Sequence, residues 1–201
     1  MPASRFDELV SMAVEGDGLV TALQARQSGF TDSVLTRLAH RGRLERISRG
    51  VYRVPFFPLG RFSQYREAVL WAKAHRGPEL VAISHMTALV VYAISDANPG
   101  VVHLTVPLSA RLRRQRPRGI LIHRGNLTEK DIFVHEGVPL TTVSRTVHDL
   151  LASNARLDLI RQAIDEARRE GFLEDAEARY LRRQVQAHLR SQLESNVGDR
   201  G

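Results

Sequence analysis

The sequence predicts an α+β protein in two parts, on three observations. Apolar residues recur at helical spacing in several separate windows. Short β-branched runs bounded by Gly and Pro lie between them. Pro55-Phe56-Phe57-Pro58 then interrupts the pattern like a linker. We therefore expect one domain over residues 1–57 and a second, α+β domain over 58–201. A chain of 201 residues that is 43% hydrophobic and 25% charged can bury an ordinary globular core.

Residues 5–15 place Phe6, Leu9, Val10, Ala13 and Val14 on one helical face, and Gly16 and Gly18 end the run. Thr21 caps a short helix through about Gln27, and Ser28-Gly29 forms a turn. Thr31 caps the next helix, which Arg41-Gly42 ends. On it Val34, Leu35, Leu38 and Ala39 make one apolar stripe of roughly 140°. The opposite arc holds Ser33, Thr36, Arg37 and His40, flanked by Arg41, and every one of these can hydrogen-bond. Two strands follow, Leu44–Ile47 and Val51–Val54, joined by Ser48-Arg49-Gly50. Helix, turn, helix and basic hairpin within about 35 residues is the pattern of a winged helix-turn-helix.

Beyond Pro58 we expect helices over 61–75 and 84–94, and strands over 101–106, 119–123, 132–134 and 138–139. Helix returns at 143–152, 157–170 and 175–194, and the tail from Ser195 reads as disordered.

Net charge is +7, which suits a polyanionic or acidic partner. Only Lys73 and Lys130 are lysines, so the charge is carried by arginine, whose planar fork fits phosphate and guanine. In the second part Arg111, Arg113, Arg114, Arg116, Arg118 and Arg124 face no acid between Ser109 and Thr128. That stretch is a candidate second basic surface for a nucleic-acid backbone or an acidic partner, or else a solvated loop.

No cysteine is present, which excludes disulfides and thiol chemistry. His103, His123 and His135 fall in three different strand-like runs, but none has the short paired spacing of a zinc site, and we expect neither metal nor cofactor. Ser144, His148 and Asp149 can be written as a triad. They lack a nucleophile elbow, and Arg145 to Asp149 reads more simply as an ion pair one helical turn apart. With two lysines, neither two positions after an acid, a nuclease E-x-K pattern cannot be written. We expect no catalysis. The first residues lack a long apolar core and no window is long enough to span a bilayer, so a cytoplasmic protein is expected.

Gly18-Leu-Val-Thr21, Gln24-Ala-Arg26, Gly29-Phe-Thr31, Leu35, Arg37-Leu38, Arg41-Gly-Arg-Leu44 and Arg49-Gly-Val-Tyr52-Arg resemble the N-terminal domain of AbiEi-type antitoxins. In the second half, Ser84-His85 with Thr87-Ala88, Val102–Val106, Ile122-His123-Arg, Gly137–Thr141 and Ser144–Thr146 with Asp149-Leu150 are similar to that family's C-terminal domain. The resemblance implies an antitoxin and autorepressor. The winged helix would bind inverted repeats of double-stranded DNA in its own promoter, as a monomer assembling cooperatively. The second domain would neutralise a nucleotidyltransferase-like toxin encoded alongside, directly or indirectly. It implies Ser33, Thr36, Arg37 and His40 as base readers, Thr31 and Arg41 nearer phosphate, and Arg46, Ser48 and Arg49 as wing contacts. The alternative is a stand-alone transcriptional regulator whose second domain dimerises or senses a ligand.

Overall fold

The computed structural model describes residues 5–14, 16–74, 77–112 and 116–198. Glu15, His75, Arg113, Arg114 and residues 199–201, on which some expectations fall, lie outside the described residues. The chain forms two compact units, and the fold is α+β as the sequence predicts. One unit is Met1–Val81 with Val106–Arg118 and Arg124–Leu127; the other is Ala82–Thr105, Gly119–His123 and Thr128–Gly201.

In the first unit the elements are α1 (Arg5–Val14), β1 (Leu19–Thr21), α2 (Ala22–Gln27), α3 (Asp32–His40), β2 (Glu45–Ser48), β3 (Val51–Arg53) and α4 (Ser63–Lys73). The strands form an antiparallel sheet in the order β1-β3-β2. β1 is not visible in the sequence as a strand. Its three residues pair Leu19 with Arg53, Val20 with Tyr52 and Thr21 with Val51, closing the free edge of the hairpin. Gly18 makes this turn practicable: its φ is +82°, and a Cβ there would stand 2.6 Å from the Phe57 side chain. Leu9, Ala13, Val20, Ala25, Phe30, Leu35, Leu44 and Tyr52 form the core under the three helices.

The first unit extends past the expected boundary after residue 57 and takes in α4. Leu70 and Ala74 pack with Leu19, Ile47 and Val51. Glu67 accepts from Arg53 at 2.5 Å, and Asp17 pairs with Arg66. The Phe57 amide donates back to the Val54 carbonyl, so Pro55–Pro58 folds as a turn rather than spacing two bodies apart.

The second unit is built on a five-stranded sheet in the order β6-β5-β4-β8-β7. Its strands are β4 (Ala82–Ile83), β5 (Val102–Pro107, of this unit through Thr105), β6 (Ile120–Gly125, of this unit through His123), β7 (Ile132–His135) and β8 (Val138–Thr141). Its helices are α5 (His85–Tyr92), α6 (Val143–Ala152), α7 (Leu157–Arg169) and α8 (Asp175–Gly198). The central β4 has two residues, both buried, antiparallel to β5 and parallel to β8 through Ile83 and Leu140. Ile83, Leu89, Leu104, Leu140, Leu150, Ile160 and Ile164 are fully buried. α8 continues through Gly198, so the segment from Ser195 read as disordered is helical over its first four residues. No described helix is long and apolar enough to cross a membrane.

Candidate nucleic-acid interface

Local rules set the approach of α2 to α3. Thr21 closes a capping box on α2, its hydroxyl accepting from the Gln24 amide at 3.1 Å while the Gln24 side chain accepts from the Thr21 amide at 2.9 Å. The turn ends with the Phe30 amide on the Ala25 carbonyl, and the Phe30 ring is driven into the core. Arg26 then bonds Asp32 at 3.0 Å in the first turn of α3, linking the two helices. The stripe expected to face inward does so: Leu35 is fully buried, and Val34, Leu38 and Ala39 pack partly buried against the core.

The opposite face is open. Thr31, Ser33, Thr36, Arg37, His40 and Arg41 are all exposed. The Thr36 hydroxyl donates to the Asp32 carbonyl at 2.9 Å, so it offers acceptor lone pairs outward. Thr31 does not cap α3 with its side chain. Its hydroxyl lies 2.8 Å from that of Ser33.

The hairpin stands beside this face. Thr36, Ala39, His40 and Gly42 at the end of α3 share a groove of about 550 Å³ with Leu44, Glu45 and Arg46 of the hairpin and Pro55. Gly50, at φ +81°, turns the wing, and its carbonyl accepts from the Ala22 amide at 2.9 Å, fastening the hairpin to α2. Arg46 and Arg49 are exposed on it. The pairing shifts register between Arg46 and Ser48, and the Ser48 hydroxyl oxygen is buried without a hydrogen-bond partner. The Ser48 hydroxyl thus points away from the outer surface, while its neighbours Arg46 and Arg49 are exposed. Glu45 is an acid in the same groove, 3.9 Å from Arg53.

In the basic stretch of the second half, Arg111, Arg116 and Arg118 are exposed. Arg124 is exposed too, but its guanidinium donates to the Ala110 carbonyl at 2.5 Å, which makes it partly structural.

The second unit carries a polar cluster of its own. His85, His103 and His123 come together, while His135 stands apart beside Tyr92, Phe133 and Phe172. Burial holds the His85 imidazole down at about 3, reinforced by His123, His103 and Arg145. Burial, then His123, lowers His103. Burial lowers His123 against the opposing pull of the Asp149 carboxylate. Arg145 bonds Asp149 at 2.9 Å, the helical ion pair expected, and reaches Asp131 at 3.1 Å. The Ser144 hydroxyl bonds Glu177, so among the described residues no serine–histidine pair forms there.

No curated protein matches the chain. Among solved structures it is similar to that of the RV2827C protein from Mycobacterium tuberculosis, at 14% identity and a TM-score of 0.45, over 89% of this chain and 80% of that one. Residues 7–55, from α1 to the end of the hairpin, match the family model for the transcriptional regulator AbiEi antitoxin, and this helix-turn-helix segment is thus similar to that family.

Proposed function

We propose that the chain is a DNA-binding autorepressor and antitoxin. One observation carries the DNA half: the polar face of α3 and the arginine-bearing hairpin border a common groove, within the segment similar to a regulator family. An α-helix fits the major groove of B-DNA, and a basic hairpin beside it reaches the flanking phosphates. Ser33, Thr36, Arg37 and His40 read bases, with Arg37 taking a guanine through its two-pronged guanidinium. Thr31 and Arg41 lie nearer the backbone, and Arg46 and Arg49 contact phosphate or the minor groove. Inverted repeats upstream of the chain's own gene are the operator, occupied cooperatively by monomers.

The second part neutralises a nucleotidyltransferase-like toxin encoded beside it, and no chemical step is assigned to the chain, which works in the cytoplasm where the operator is. Footprinting of the full-length protein on DNA upstream of its gene tests repression: two protected half-sites are expected, and uniform protection of unrelated duplexes overturns it. Co-expression with the neighbouring toxin gene tests the other half: growth is restored by the intact chain, and unrelieved toxicity overturns that assignment.

A further inference from the structure

Three histidines distant in sequence meet in the second unit: His85 opens α5, His103 lies in β5 and His123 in β6. Their potential ligand nitrogens all lie within 4.8 Å of one another. His103 Nδ1 and His123 Nε2 face each other at 3.0 Å. Ring centroids are 5.8 Å apart for His85 and His103, and 3.6 Å, stacked, for His85 and His123. A tetrahedral metal about 2.0–2.1 Å from each nitrogen holds them about 3.4 Å apart. The His103–His123 pair therefore needs to open by only a few tenths of an ångström. The longest separation in the trio has to close by about 1.4 Å, within reach of a ring rotation that unstacks His85 from His123.

The surroundings are those of a supported ligand set. His85 has φ 52°, a left-handed conformation uncommon for a side-chain-bearing residue and kept where neighbours over-determine it. Its Nδ1 lies 3.0 Å from the Ser84 hydroxyl, which also accepts from Thr105 at 2.8 Å. A hydroxyl oxygen has two lone pairs, so Ser84 can accept from His85 Nδ1–H as well. In that tautomer Nε2 is bare.

Asp149 supplies a second, independent sign. Its Oδ2 is buried with no hydrogen-bond partner, and its charge acts on His123. An orphaned buried carboxylate oxygen is costly unless a cation, a ligand N–H or a metal-bound water meets it. Arg145 bonds Asp149 through the other carboxylate oxygen and is shared with Asp131, so Oδ2 itself is left without a donor.

We propose that His85, His103 and His123 form a three-imidazole site for a divalent transition metal of the Zn²⁺ class. Asp149 supports the site from the second layer, and one coordination position stays open. Imidazole nitrogens suit zinc and its neighbours rather than Mg²⁺ or Ca²⁺, which take oxygen. The metal would clamp β5 and β6 to the start of α5.

The test uses the full-length chain, stripped with a chelator and dialysed, then titrated with Zn²⁺ and, for its visible absorption, with Co²⁺. The expected result is saturable uptake of one equivalent per chain, a raised Tm and a tetrahedral Co²⁺ spectrum. His103→Gln and His123→Gln, both at half-buried positions, should each weaken uptake by at least about 100-fold, the upper end of what losing a supporting residue costs. His135→Gln should leave it unchanged. Absence of one-equivalent saturable uptake in the wild-type chain overturns the proposal without any variant. Uptake retained by both triad variants overturns it as well, since that is adventitious binding to other histidines.

Discussion

Replacing Arg46 and Arg49 together by alanine isolates what the wing does. Both side chains are exposed, so the substitutions leave the fold within about 0.5 kcal/mol of its original stability. Each arginine on a phosphate releases counterion and adds about 0.9 to the slope of log K against log salt, so two account for about 1.8. Between 50 and 200 mM salt, a fourfold change, that slope amounts to roughly a twelvefold loss of affinity. Wild type should therefore weaken about tenfold more than the double variant over that range, on operator and unrelated duplex alike. Fluorescence anisotropy at four or five salt concentrations measures it. Equal slopes refute the reasoning and move the phosphate contacts elsewhere, the exposed Arg111, Arg116 and Arg118 being the next to replace.

Arg37→Ala should act differently, lowering the ratio of operator to unrelated affinity by about 1–3 kcal/mol with the salt slope little changed, read in the same titrations. Leu35→Ala, at a fully buried core position, should cost about 3–5 kcal/mol in urea unfolding and abolish DNA binding through loss of the fold. Gly18→Ala should lower Tm markedly, because φ is +82° and the new Cβ meets Phe57. Asp131→Asn should show a pH signature. Burial pushes the Asp131 carboxyl up, but hydrogen bonds from the Thr128 hydroxyl and amide and the Arg145 guanidinium outweigh it and hold it below its ordinary value. Its stabilisation is therefore present above the unfolded value near 3.8 and is lost as pH falls through the lower folded one. The variant should be about 2 kcal/mol less stable at neutral pH and converge on wild type in acid, as thermal melts across pH will show.

The first unit was legible because its signals are local. A cap such as Thr21, a turn glycine and a 3.6-residue stripe each act within a few residues, and α2, α3 and the hairpin follow from them. Exposure of Arg37 and His40 followed from the burial of Leu35, since a stripe that faces inward turns its opposite face out. Elements that depend on partners were not legible. β1 and β4 have three and two residues, too few for any alternation, and exist because β3, β5 and β8 supply the other half of each ladder. The placing of Ser48 was not legible for a related reason: the register shift beside it, a property of the pairing, leaves its hydroxyl oxygen buried. The α4 helix was legible, but not its side of the boundary. Its ties run through Glu67 to Arg53 and through Arg66 to Asp17, residues of opposite charge far apart in the chain.

The histidines show what sequence spacing cannot weigh. His103, His123 and His135 read as residues of three strands, and strand order rather than sequence order decides which of them meet. His135 lies on the far-edge strand β7, whereas β5 and β6 neighbour each other, and His85 enters from the end of the central β4. β4 and β8 are the parallel pair of the sheet. Each leads through one polar residue, Ser84 or Thr142, directly into a helix. In open α/β sheets ligands gather beyond the carboxyl ends of parallel strands that feed helices, and this parallel pair supplies two such strand-to-helix junctions within a mixed sheet. Ser84, His85, Thr141, Thr146, Arg145 and Asp149 all belong to those two junctions, and the Thr141 and Thr146 hydroxyls bond each other at 2.7 Å. A strand of two buried residues is thus enough to assemble the most polar interior of the unit, because its neighbours fix where it ends.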